Sequence, residues 1–262
     1  MDFENILYEK KDGVLWITLN RPKKFNAVTM NTFKELMVAH EEAAADPDIK
    51  VIVSKGAGDK AFCVGGDLDE FVNAAGEYGT RVCEYGMRLT NAMRLSPKPI
   101  IAAVNGYCYG WGNEYLIFHD IAVATEDATF RQPEMGVGSS PVHGLNQLLP
   151  LLIGDKRAKE FILFRKLLTA QEAERIGYIN RVVPKDKLID TVNEYCQLIL
   201  ESSPQAIKLT KTMMNAHSDL MYPVQTLGFR AWTLLHDTEQ WKEGFNAVVE
   251  KRKPDFSRFK SF

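Results

Sequence analysis

Apolar and polar positions alternate, then cluster, in a way that predicts successive small α/β units. Phe3–Lys10 and Val14–Leu19 are β-rich arms around Asp12-Gly13, a hairpin signal. Asn20-Arg21-Pro22 closes the second arm, because proline cannot extend a ladder and also restricts Arg21. Phe33, Leu36, Met37 and His40 then recur at helical spacing over Thr29–Ala45, with Thr29 placed as N-cap. Val51–Ser54 reads as a short buried strand running into a glycine-rich loop over residues 56–67. A long helical stretch to Leu95 follows, ended by Pro97 and Pro99. Ile100–Val104 predicts an apolar strand turned by Asn105-Gly106, Gly110–Phe118 a buried helix, Ile121–Ala124 a strand and Pro141–Leu152 a helix. Thr169-Ala-Gln-Glu172 is a capping box opening a helix that ends at Gly177, followed by a strand over Ile179–Val183.

From about Lys187 the pattern is helical. Trp232, Leu234, Leu235, Trp241 and Phe245 form apolar teeth, expected to pack on the core or on a second subunit. The change in pattern near residues 190–200 divides the chain into a core, 1–195, and a helical C-terminal region, 196–262. Strand–turn–strand–helix units recur in the first part without a strict sequence repeat.

Composition narrows the function classes. The chain has 262 residues, is 45% hydrophobic and carries a formal net charge of −2, values ordinary for a protein with a sizeable core. With a pI near 6.2, no general attraction to nucleic acid or anionic membrane is expected, so an anionic ligand needs a local cationic cluster. Met1–Gly13 is charged and lacks an apolar run, so no secretory leader is expected, nor is a membrane span. Cys63, Cys83, Cys108 and Cys196 are scattered, without the spacing of a zinc site or a disulfide frame. Reduced thiols, a cytoplasmic location and no metal are the expectation.

Three segments hold candidate chemistry. Ala61-Phe-Cys-Val-Gly-Gly-Asp67 pairs two glycines in a loop, which lets backbone N–H groups approach a ligand; a tight turn is the plain alternative. Asn105-Gly-Tyr-Cys-Tyr-Gly-Trp-Gly-Asn-Glu114 leads an apolar strand into a helix start, where free N–H groups suit a developing oxyanion. Glu114 there precedes Tyr-Leu-Ile-Phe, and a carboxylate among such residues is costly unless bonded or used; complementing the helix dipole is its bland role. Gln132-Pro-Glu134 sets a second carboxylate before a Gly/Ser loop, where a solvated charge is the simpler reading. Taken together, two glycine-bearing donor segments and two carboxylates are what an enolate-forming acyl enzyme needs.

In order and spacing these three segments resemble the crotonase (enoyl-CoA hydratase/isomerase) superfamily, and the resemblance runs from Asn20-Arg-Pro to Glu250-Lys-Arg-Lys-Pro-Asp-Phe256. It implies an α/β fold, a spiral of ββα units with a helical C-terminal region that mediates trimers, often paired into hexamers. It implies an oxyanion hole from the N–H groups of Gly66 and Trp111, with Glu114 and Glu134 as the acid–base pair of an enoyl-CoA hydratase. Coenzyme A would enter as part of the acyl-CoA substrate, with no permanently bound cofactor. By the same resemblance Lys23, Lys24 and Phe25 lie by its adenine and ribose, Val64 and Leu68 offer backbone to adenine, and Lys60 a phosphate contact. Lys251, Arg252 and Lys253 would reach a phosphate, on this or a neighbouring subunit. A solvated charge is the alternative for each cation.

The sequence also departs from the family. Trp111 stands at the middle glycine of a G-G-G run, and Asp69 where a lysine often helps, shifting phosphate binding toward Lys60 and the tail. Val142 and His143 stand where glycine and alanine leave room for substrate. These changes point to an acyl group that is cyclic, aromatic or polar. A ring-cleaving hydrolase or ring-forming synthase, an isomerase, and a non-catalytic binding protein are the competing expectations, in that order.

Overall fold

The computed structural model describes residues 3–73, 77–219, 221–235 and 238–259. β1 (Ile6–Lys11) and β2 (Val14–Leu19) pair antiparallel around Asp12 and Gly13, whose φ values of 50° and 83° suit the twist of a tight hairpin. α1 (Met30–Ala45) begins at Thr29, whose hydroxyl accepts the N–H of Thr32 at 3.2 Å. Its inner face buries Phe33, Leu36, Met37 and His40. β3 (Val51–Gly56) and β4 (Ala61–Cys63) follow, then α2 (Leu68–Asn73) and α3 (Tyr78–Leu95). The expected single helix to Leu95 is therefore two elements, and residues 74–76 of that stretch lie outside the described residues.

β5 (Ile100–Val104), β6 (Tyr107–Tyr109), α4 (Trp111–Leu116), β7 (Ile121–Thr125) and β8 (Thr129–Arg131) make up the middle of the chain. After them come α5 (Leu145–Ile153), α6 (Asp155–Leu163), β9 (Leu168–Thr169), α7 (Ala170–Arg175) and β10 (Arg181–Val183). The capping box at Thr169 and Glu172 forms as its spacing predicts. α8 (Leu188–Leu200), α9 (Pro204–Asp219), α10 (Tyr222–Leu235) and α11 (Glu239–Val249) complete the fold, α8 running unbroken across residues 195 and 196.

Two sheets are formed among the described residues. The larger has the order β1-β2-β3-β5-β7-β10, parallel apart from the β1–β2 hairpin, and the smaller has the order β4-β6-β8-β9. In the smaller one, β4, β6 and β8 run parallel, and each lies between a long strand of the first sheet and a helix. Its strands span two or three residues, too short for a period-2 pattern to reveal, which is why they do not emerge from the hydrophobic pattern. The parallel strands β3, β5 and β7 are buried along almost their whole length, as sheets covered on both faces require.

A separate cluster of buried side chains carries the C-terminal helices. Phe229 and Trp232 of α10 and Trp241 and Phe245 of α11 pack with Phe71, Cys83 and Val142. These teeth thus close on the chain's own core, whereas Leu234 is 79% exposed and takes no part. No helix among the described residues is long and apolar enough to cross a membrane. All four cysteines are free and buried.

Candidate active site

Both glutamates arrive on short segments that the small sheet aligns. β6 delivers Gly110, whose φ of 52° turns the chain into α4 and places Glu114 in its first turn. β8, parallel to β6, delivers Gln132, Pro133 and then Glu134, which opens a short 3₁₀ turn to Val137. The segments are tied together by Asn113, whose amide donates to the carbonyl of Arg131 (2.8 Å) and to Oε1 of Gln132 (3.0 Å). Tyr178 in turn donates its hydroxyl to Oδ1 of Asn113 at 2.9 Å. Neither Asn113 nor Tyr178 stands out in sequence, since an amide and a phenol beside motif residues have no periodic signature.

Glu114 is buried and its Oε2 accepts two backbone N–H groups, from Val142 at 2.7 Å and His143 at 2.5 Å. This corrects the expected helix over Pro141–Leu152. The helix begins only at Leu145, because the backbone before it donates to Glu114 instead of opening a helical turn. Glu134 Oε2 is buried with no hydrogen-bond partner among the described residues. Burial, and then the charge of Glu114, push the Glu134 carboxyl well above the ordinary carboxylate range. The two groups therefore sense one another across the site.

The glycine segments line the same cavity, and a Cβ at Gly110 would stand 3.0 Å from Oε1 of Glu134. Gly65 has a φ of 104°, and a Cβ there would stand 3.5 Å from the Trp111 nitrogen, so the Gly65-Gly66 backbone runs alongside the N-terminus of α4. At Gly66 a Cβ would meet the Phe71 ring at 2.1 Å. The N–H of Trp111 is in the first turn, with no helical carbonyl before it to bond. Asp67 holds the loop from the far side by accepting Arg21 at 2.7 Å. Burial alone would push the Asp67 carboxyl up, but the Arg21 hydrogen bond and charge outweigh it and hold the carboxyl low. Asp67 and Arg21 are thus a brace between the Asn-Arg-Pro turn and the glycine loop.

Gly66, Trp111, Glu114, Glu134, Val142 and His143 all line one cavity of about 520 Å³, and Lys23, Lys24, Phe25, Val64 and Leu68 line it as well. Phe33, Phe71, Val82, Trp232 and Phe245 supply an aromatic and aliphatic wall, with Ser139 accepting the Trp232 indole N–H at 3.0 Å. Lys60, Lys251 and Lys253 do not line it. Arg252, from the same tail, is committed to Glu243 and Glu250, and Lys24 pairs with Asp69 at 2.5 Å. Among the described residues no group of three or more His, Cys, Asp or Glu side chains could hold a metal ion.

The mixed α/β core thus carries one cavity lined by two carboxylates and by glycine-bearing backbone. The profile of the enoyl-CoA hydratase/isomerase family matches residues 9–259, and the chain belongs to that family, within the crotonase superfamily. An enoyl-CoA hydratase from Mycobacterium avium subsp. paratuberculosis K-10 superposes with a TM-score of 0.89 at 28% identity, covering 97% of this chain and 99% of that one. A carnitinyl-CoA hydratase from Mycobacterium avium gives 0.87 at 31% identity over 96% and 98%. An enoyl-CoA hydratase from Bacillus anthracis gives 0.79 at 30% identity over 97% and 99%. The family acts on acyl-CoA thioesters.

Proposed function

We propose that this protein is a cytoplasmic enoyl-CoA hydratase that adds water across the 2,3-double bond of an acyl-CoA thioester. The observation that carries the reading is that Glu114, Glu134, Gly66 and Trp111 line one and the same cavity. In this mechanism the two N–H groups receive the thioester oxygen, so that charge developing on it is met by fixed dipoles. Oε2 of Glu114 is engaged by two N–H donors, which leaves Oε1 to take a proton from the attacking water. Glu134, whose neutral form is favoured by burial and by the charge of Glu114, supplies the proton to C2 as the new C–O bond forms at C3. Reversal of the two transfers returns the enoyl thioester.

The acyl group in this reading is cyclic, aromatic or polar. Its support is the wall itself: Phe33, Phe71, Trp111, Trp232 and Phe245 surround the inner cavity, and Val142 and His143 add bulk. The mouth, with Lys23, Lys24, Phe25, Val64 and Leu68, suits the nucleotide end of coenzyme A. Lys60, Lys251 and Lys253 are assigned to phosphates only if the long nucleotide extends beyond the cavity, or meets a neighbouring subunit. A trimer or hexamer is part of the proposal, supported by apolar side chains left exposed on α8 and α9, among them Leu198, Leu209, Met213 and Met214. Light scattering on the purified protein measures that state directly.

A panel of linear, cyclic and aromatic 2-enoyl-CoAs tests the reaction. Loss of enoyl absorbance with a mass gain of one water and no free thiol is the expected result. Release of free coenzyme A would instead identify a hydrolase, and double-bond migration without mass change an isomerase. A further expectation concerns the mouth. Asp69→Asn releases Lys24 from its exposed pair, whose strength is at most about 1 kcal/mol, so acyl-CoA should bind up to about fivefold tighter. Isothermal titration with coenzyme A, which carries the same nucleotide end, measures it at low salt, and unchanged affinity would remove Lys24 from the nucleotide-binding mouth.

A further inference from the structure

His143 is the buried titratable group of the cavity that the hydration mechanism leaves without a task. It is 4% exposed, and neither ring nitrogen has a hydrogen-bond partner among the described residues. Leaving both atoms of a buried imidazole unsatisfied is costly, so its placement calls for an explanation. The ring is confined on three sides. Phe229 meets it edge-on with centroids 4.7 Å apart, Phe33 lies at 5.5 Å and Trp111 at 6.3 Å. On the fourth side Nε2 faces Gly86 in the middle of α3, where a Cβ would stand only 2.1 Å from it. That contact offers Nε2 no acceptor. Nδ1 faces the other way, 3.3 Å from Oε2 of Glu114, an electrostatic contact rather than an aligned hydrogen bond.

We propose that His143 is a positioning residue for Glu114, seated by the space that Gly86 leaves in α3. The ring carries a proton on Nδ1, because one held on Nε2 would be buried against Gly86 with nothing to accept it. Nδ1–H and the backbone N–H groups of Val142 and His143 then converge on one carboxylate oxygen. With Nδ1–H beside the two backbone donors, Oε2 is the bound oxygen and Oε1 is the one presented to the water. Contacts of this kind commonly tighten as a site closes around its substrate. Direct donation to the acyl group is disfavoured, since one nitrogen points at Glu114 and the other at α3. The inference rests on Glu114 being a proton-transfer group, as the hydratase reading holds.

Four variants test it on the intact protein, with hydration of the best enoyl-CoA of the panel as readout. His143→Leu keeps bulk and removes the donor. Misplacing a reacting group by about 1 Å can cost on the order of 10²-fold, so kcat should fall about 10- to 100-fold while KM stays within about threefold. His143→Asn restores an N–H near the position of Nδ1 and should recover most of the loss. Gly86→Ala, which by helix propensity alone is favourable, should lower kcat like His143→Leu by displacing the ring. Adding Gly86→Ala to His143→Leu should cost little more, because leucine stops short of the Nε2 position that the added methyl meets most closely. Should His143→Leu not fold, Gly86→Ala and His143→Asn carry the same expectations.

Wild-type kcat in His143→Leu, or an Asn variant as slow as the Leu variant, would overturn the inference and reduce His143 to packing. Glu114→Gln serves as the control. If it is inactive while His143→Leu is unimpaired, only the role of His143 falls. If it is fully active, the hydratase reading fails and the His143 proposal with it.

Discussion

Glu134→Gln is expected to lower hydration by about 10²- to 10⁴-fold, the range of a lost general acid, while making the folded protein more tolerant of high pH. Glutamine keeps the shape of the side chain and cannot release a proton to C2. The stability effect follows from the same burial that makes Glu134 an acid. Its carboxyl is raised in the folded state by desolvation and by the charge of Glu114, so the fold binds this proton more tightly than the unfolded chain does. Stability from that preference is complete below the ordinary carboxylate range and is lost as pH rises through the raised folded value. The glutamine variant has no such loss. Urea unfolding of both proteins from pH 4 to pH 9 should therefore show the variant gaining on wild type as pH rises. A variant with full activity, or one whose stability difference is flat with pH, contradicts the assignment. Glu114→Gln should be at least as slow, with coenzyme A affinity little changed, because in the proposed binding mode Glu114 meets the acyl group and not the nucleotide.

Gly244→Ala is expected to damage both stability and turnover, although Gly244 itself does not line the cavity. Gly244 on α11 lies against the backbone of Val137, where a Cβ would stand 2.2 Å from the carbonyl carbon and 2.3 Å from its oxygen. Backbone cannot swing aside as a side chain can, so either α11 or the turn from Glu134 to Val137 must move. Overpacking of this kind costs about 1–3 kcal/mol, and it falls on the turn that aims Glu134. Thermal unfolding should show the loss of stability, and kcat should drop with it even when measured well below the melting temperature. A variant that is destabilised but has wild-type kcat would show that α11 braces the fold without aiming the acid. The C-terminal helices are in this view part of the site: Trp232 donates to Ser139, and Phe245 lines the cavity.

Long elements were legible because their periodicity is local. The β1–β2 hairpin at Asp12-Gly13, α1 behind Thr29 and the capping box at Thr169 each depend on contacts within a few residues, and all lie close to where the pattern puts them. The small sheet was not legible, since pairing of β4, β6 and β8 is a non-local event between segments with no period to read. The same limit applies to the site. Glu114 and Glu134 could be singled out as carboxylates in unusual company, and family motifs supplied their expected roles. The helix start at Leu145 could not be foreseen, because what delays it is a carboxylate about thirty residues earlier in the chain.

By itself the sequence determined which residues could carry acid–base and oxyanion chemistry, and the family to which the chain belongs. Those depend on residue type and order, which survive without coordinates. Only the tertiary structure decided which groups meet. It brought Glu114 under the N–H groups of Val142 and His143, joined Asn113 to the Glu134 segment, seated His143 against Gly86, and left Lys60 and the tail lysines off the cavity. Each is a contact between distant parts of the chain, set by packing rather than by any local preference a sequence can display.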